Sequence, residues 1–170
     1  MLYKFADMNF FRKPRVAELL LSTLIVFSQW SCNNIDNYEW NTPIENHSWS
    51  SNQKISGSFN IEDTSSLYNL SVIVRHTDAY NYNNIWLKIG LQFPNDTLQY
   101  KKVNFSLGDD ANGWEGVGMG DIWEVKKRLN TQPVKFSKKG IYHFELANLM
   151  REDPLQQIIS VGFSVEKSAN

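Results

Sequence analysis

The sequence predicts an all-β protein: a single antiparallel β-sandwich, jelly-roll-like, preceded by a signal peptide. Two observations carry the sandwich. After Cys32 no segment keeps a helical period, whereas apolar and polar residues alternate in run after run. Clusters of Gly, Pro, Asn, Asp and Ser separate these runs at intervals of roughly ten residues, which gives about seven or eight strands. A third observation, the character of residues 10–32, carries the leader.

Residues 10–15 hold Arg12, Lys13 and Arg15, and residues 16–27 are mostly apolar. Polar and small residues then lead to Cys32, the only cysteine. A basic head, an apolar stretch of about a dozen residues and a small residue before the cut describe a secretory signal peptide. A lone cysteine in an exported chain has no internal disulfide partner. Its position suits lipid attachment: cleavage before Cys32 makes it an acylated first residue. Ser31 fits such a site, while Gln29, Trp30 and the interrupting Glu18 depart from the usual pattern. The other readings are a simple secretory peptide and a transmembrane anchor, and a spanning helix needs roughly 20 apolar residues. Translation from Met8 would leave the basic head with no acid before Glu18. The expected organisation is a signal peptide at 1–31, a lipid-anchored tether and N-terminal segment at 32–54, and the sandwich domain at 55–170.

Removing residues 1–31 from the chain of 170 leaves 139, with 13 basic residues (17 less four) against 16 acidic (18 less two). That length buries a core without disulfides or metal. The acidic balance offers no basic stripe for nucleic acid.

Residues 33–54 mix Asn and Ser with Tyr38, Trp40, Pro43 and Trp49, reading as a short tether followed by a segment laid against the domain. At Ile55 the period becomes two: Ile55, Gly57, Phe59 and Ile61 share a face. After the turn at 63–66, Leu70, Val72 and Val74 lie opposite Ser71, Ile73 and Arg75. A polar loop at 77–84 precedes the cleanest alternation, with Ile85, Leu87, Ile89, Leu91 and Phe93 facing one way. Residues 94–97 form a hairpin-length loop, and 98–107 return with Val103, Phe105 and Leu107 on one face. Further strands are expected at 122–129, 134–136 and 141–149. A short helical turn is expected at 149–153, before Pro154. The last strand carries Ile159, Val161, Phe163 and Val165.

Five of the nine glycines, Gly108, Gly113, Gly116, Gly118 and Gly120, fall within thirteen residues. No Lys-Ser/Thr follows them, so they are not a phosphate cradle. With Gly113 as the central glycine of an EF-hand loop, the twelfth position is Met119, so that pattern is absent. A looser calcium site from Asp109, Asp110, Asn112, Glu115 and Asp121 is the lesser alternative. The favoured reading is a long connection that packs Trp114 and Trp123 on the domain. His47, His76 and His143 stand in separate segments, and no Gly-x-Ser-x-Gly elbow or cysteine nucleophile follows Cys32. No enzyme is visible, no cofactor is implied, and Arg75 reads as half of a surface ion pair.

Two blocks then stand out: Arg75 followed by Tyr80-x-Tyr82-x-Asn84-x-Trp86, and Gly113-Trp114-Glu115-Gly116-x-Gly118-x-Gly120-Asp121-Ile122. Together with Cys32 they resemble the gliding motility lipoprotein family known as GldH, across most of the chain after the leader. The resemblance implies a non-catalytic, membrane-anchored lipoprotein of the cell envelope, associated with gliding and its linked secretion machinery. It implies a membrane contact through the N-terminal lipid and partners among other envelope proteins of motility or secretion. It transfers no catalytic or ligand-binding residue. The candidate contact residues are Tyr80, Tyr82, Trp86 and Trp114, since aromatic residues dominate binding hot spots. The competing reading, favoured by the usual burial of Trp, covers Trp86 with residues 33–54. The alternative function is a surface glycan-binding lipoprotein, to which the sandwich and the Tyr, Trp and Asn content also point.

Overall fold

The computed structural model describes residues 37–168. The signal peptide, Cys32 and the first tether residues therefore lie outside the described residues. Thirteen strands follow one another: β1 (Asn37–Pro43), β2 (Ser48–Trp49), β3 (Ile55–Ile61), β4 (Tyr68–Thr77), β5 (Asn84–Gln92), β6 (Gln99–Ser106), β7 (Gly108–Asp109), β8 (Gly113–Trp114), β9 (Val117–Met119), β10 (Ile122–Arg128), β11 (Gly140–Asn148), β12 (Leu155–Gln156) and β13 (Ile158–Lys167). They build a five-stranded sheet in the order β1-β13-β4-β10-β9 and a four-stranded sheet in the order β3-β11-β5-β6. Two short ladders, β2 with β12 and β7 with β8, close off loops. Every pairing is antiparallel.

The eight longest strands pair as one long hairpin. β5 pairs with β6, β4 with β10, β3 with β11, and β1 with β13. Successive pairs fall in alternate sheets, so the hairpin rolls up on itself, which is the jelly-roll arrangement.

The alternating faces meet in one core. Phe59, Phe144 and Phe163 are buried, with Phe144 stacked on Phe163 at 4.5 Å between ring centroids. Tyr142 stacks on Phe59 at 5.4 Å and its hydroxyl donates to the Lys138 carbonyl. β5 follows its predicted alternation, with Ile85, Leu87 and Ile89 buried and Trp86 outside.

Four expectations need correction. The sheet does not wait for residue 55: β1 is an edge strand, paired with β13 over seven residues. Trp49, in the segment expected to lie against the domain, needs none: it is wholly buried, its indole N–H donating to the Gln53 carbonyl at 2.9 Å. Val134 makes only an isolated bridge to Tyr68, so 134–136 is no strand. Residues 149–153 hold no helical turn: 149–150 are irregular and 151–154 are bends. Ile73, on the face opposite Leu70, Val72 and Val74, is itself buried rather than exposed.

Candidate functional site

The two sequence blocks meet in space at one end of β4. The loop after β4 carries Tyr80 and Tyr82; the glycine stretch folds over it. The Asp78 amide donates to the Asp121 carbonyl at 2.8 Å, and the Leu107 amide donates to the Asn83 carbonyl at 2.8 Å. Asp109 organises the tip of this stretch. Its carboxylate accepts the amides of Ala111 and Asn112 at 2.9 and 2.7 Å, and the Asn112 side chain holds its pKa below the usual range. Gly113 turns back with φ of +77°, a conformation glycine adopts without a Cβ penalty. The acidic residues of this stretch thus fix turns and pairs: Glu115 takes a hydrogen bond from Ser106 at 2.6 Å and an ion pair from Lys127. Among the described residues no three His, Cys, Asp or Glu side chains converge as a metal set.

The four candidate aromatics divide into two groups. Tyr80 is only 4% exposed and its hydroxyl donates to the Asn84 carbonyl at 3.0 Å. Burial pushes its pKa up. Its ring touches those of His76, Tyr82 and Trp114 at 5.4, 5.7 and 6.3 Å. Tyr80 is therefore a support for the loop and presents nothing to a partner, which corrects its assignment as a contact residue. Trp114 is partly buried against the core in the same cluster. Tyr82 lies at the border, hydrogen-bonded to Glu152, which raises its pKa.

Trp86 is different. It is 43% exposed on the outer face of the four-stranded sheet, so the described part of the N-terminal segment, residues 37–54, does not bury it. The segment after β11 comes up beside it: the Leu149 amide donates to the Trp86 carbonyl at 2.9 Å, and the Trp86 amide points at the Met150 sulfur at 3.3 Å. Asn148, itself buried, fastens this segment by accepting the Met150 amide at 2.7 Å and donating to the Trp49 carbonyl at 3.2 Å. The result is an open groove of about 570 Å³ lined by Tyr82, Asn84, Trp86, Lys102, Leu149, Met150 and Arg151.

The groove is cationic. Lys88 and Lys102 stand directly opposite one another on β5 and β6, an arrangement of like charges that destabilises a sheet. Lys88 lies over the Tyr100 ring, 3.9 Å from its centroid. Neither Lys102 nor Arg151 has an ion pair or side-chain hydrogen bond among the described residues. Sequence reasoning missed Lys102, Met150 and Arg151. The polar face of β5 and β6 carried the signal for Lys102; nothing in the spacing joined residues 150 and 151 to Trp86.

Comparison with known proteins decides the family. The model of the family described as GldH lipoprotein matches residues 36–165. The chain belongs to the GldH lipoprotein family. Its match to that family spans β1 to β13, so it includes both sequence blocks and the Trp86 groove. Among curated proteins this GldH-family chain is 27% identical over 159 residues to a "Gliding motility lipoprotein GldH homolog" of Christiangramia forsetii, covering 89% of this chain and 95% of the relative. It is 25% identical over 156 residues to "Gliding motility lipoprotein GldH" of Flavobacterium johnsoniae, covering 88% and 94%. Among solved structures it is similar to the infectious bursal disease virus VP2 subviral particle and to the Gx strain of that virus. There the TM-scores are 0.30 and 0.35, the identities 17% and 12%, and the coverage 76% and 79% of this chain. The chain spans only 30% and 33% of those viral chains, a likeness too loose to bear on fold or function.

Proposed function

We propose that this protein works in gliding motility and its linked secretion machinery by holding a partner protein at the envelope, without catalysis. Membership of the GldH family makes it a membrane-anchored lipoprotein of the cell envelope. Gliding motility is the activity for which its two relatives are named, and neither is named as an enzyme. The family match over residues 36–165 carries the reading. In this reading Cys32 bears the lipid, and a single lipid-bearing end gives stable attachment when more than one acyl chain is present.

The Trp86 groove is the partner site of this reading. An exposed Trp beside Met150, with Lys102 and Arg151 unpaired at the rim, suits an acidic partner surface that buries an apolar residue. A glycan-binding role is not favoured, because the family is named for motility.

The test is deletion of the gene with complementation by native protein, by Cys32→Ala, and by Trp86→Ala combined with Lys102→Glu. Colony spreading and the proteins released to the medium are scored together. Both are expected to fail on deletion and to return only with the native form. Normal spreading and release in the deletion strain would remove the reading. Full rescue by the groove variant would remove the groove from it.

A further inference from the structure

Burial fades along one edge of the sandwich in a graded way. On β5, Ile85 and Leu87 are wholly buried, Ile89 nearly so and Leu91 only half-buried, as is Phe93 just beyond it. On β6 the same face runs from buried Phe105 through half-buried Val103 to exposed Lys101. The two sheets part toward the loop at 94–97, leaving a recess of about 300 Å³. Leu70 and Phe163 of the five-stranded sheet, Leu129 after β10, and Ile89, Leu91 and Val103 opposite them line it. Packed interiors leave few voids larger than a water molecule. An apolar recess of this volume is at the lower bound of small-ligand sites.

One charged side chain lines the recess, Lys101, set in the inward register of an edge strand. A lysine in that place also blunts a sheet edge against pairing with other chains, but edge protection does not require an apolar hollow beneath it. The Lys101 side chain has no ion pair or hydrogen bond among the described residues. Its neighbour Asn130 is already committed, accepting the Leu70 amide at 2.7 Å and donating to the Gln132 carbonyl at 2.7 Å. The mouth therefore offers one free cation over an apolar interior.

The recess also opens at the end where the chain enters the fold. Asn37, the first residue of β1, pairs with Glu166 of β13, and Glu166 pairs with Asn69, next to Leu70 in the recess wall. Two strand spacings of about 4.8 Å separate β1 from β4. We propose that the recess takes one acyl chain bearing an anionic head, the chain lying against Leu70, Val103 and Leu129 and the head meeting Lys101. The recess and its charge do not depend on the motility reading.

The test is titration of the full chain carrying Cys32→Ala, so that no lipid of its own competes, with dansyl-labelled undecanoic acid. Saturable emission enhancement reversed by palmitate is expected. Lys101→Glu should weaken binding of the acid about tenfold, the loss of one charge-assisted contact, and leave displacement by dodecanol unchanged. Val103→Phe should abolish binding by filling the recess, with the thermal transition followed to confirm folding. Trp86→Ala, which disables the proposed partner site, should bind the probe as native does. Absence of saturable binding would overturn the proposal, as would equal binding by native and Lys101→Glu.

Discussion

The Trp114 ring stands edge-on to the imidazole of His76, with 4.6 Å between centroids and 65° between planes. This contact locks the glycine stretch to the end of β4. It also encloses an ionisable group: His76 is wholly buried, its Nδ1 donates to the Thr77 carbonyl at 2.8 Å, and its Nε2 has no partner.

Burial pushes the His76 pKa below its ordinary value. The unfolded chain therefore binds a proton at a higher pH than the folded one, so stability is full above about pH 6.5 and falls as pH drops through that value toward the folded pKa. The carboxylates with lowered pKa values, such as Glu115 and Glu145, titrate below this window. Denaturant midpoints at about pH 7.5 and 5.5 should differ in native protein, with the acidic sample less stable. The difference should vanish in His76→Phe if that variant folds, and shrink in His76→Gln. An equal pH dependence in all three would assign it to other groups.

Gly116 and Gly120 both have positive φ, +87° and +66°, but their surroundings differ. A Cβ on Gly116 would lie 2.0 Å from the Glu124 carbonyl oxygen, a backbone atom on the neighbouring strand, whereas one on Gly120 meets nothing within 4 Å. Gly120→Ala should cost about 1 kcal/mol, the conformational penalty alone. Gly116→Ala should cost more than about 3 kcal/mol, since the chain must shift as well. Urea unfolding measures both, and equal losses would contradict the close approach.

Two tryptophans separate stability from recognition. Trp49→Ala, which empties a wholly buried site, should destabilise by about 3–5 kcal/mol. Trp86→Ala should change stability by less than about 1 kcal/mol and reduce capture of the envelope partner in cross-linking from intact cells. A large stability loss from Trp86→Ala would mean that its exposed face is not what matters.

Asn148 makes the groove without lining it. Its side chain joins the Trp49 carbonyl to the Met150 amide. Asn148→Ala leaves both groups without that partner in a buried place, at a cost of about 1–3 kcal/mol. Hydrogen exchange at the amides of Leu149 and Met150 should accelerate, and partner capture should fall. Unchanged exchange would show that the segment is held by other means.

Much of this fold was legible in the sequence because period-two patterning is physical. β5 has one face on the core and one in solvent, so each residue declares its side, and β11 does the same. β1 was not legible. In its sequence, Asn-Tyr-Glu-Trp-Asn-Thr-Pro, only Tyr38 and Trp40 alternate with polar residues, and an edge strand with both faces partly wet needs no longer pattern. What holds it is backbone pairing and the bare surface of Gly162, whose Cβ would lie 2.1 Å from the Asn41 side-chain oxygen. Of the candidate contact residues, the exposure of Trp86 was legible from the outward register of β5. Tyr80 misled because a polar loop hides how deep its ring goes, and Met150 and Arg151 reach the groove through a bend that no local pattern announced.

The nesting of the strand pairs also sets an order of assembly. Leu91 and Gln99, the innermost pair, are eight residues apart, whereas Asn37 and Glu166, the outermost, are separated by 129. Loop-closure entropy rises with separation, and non-local pairing slows folding. An exported chain delivers β1 first and β13 last, so β1 waits, unpaired, for the rest of the polypeptide. Truncation anywhere before β13 would leave β1 and one side of β4 as open edges.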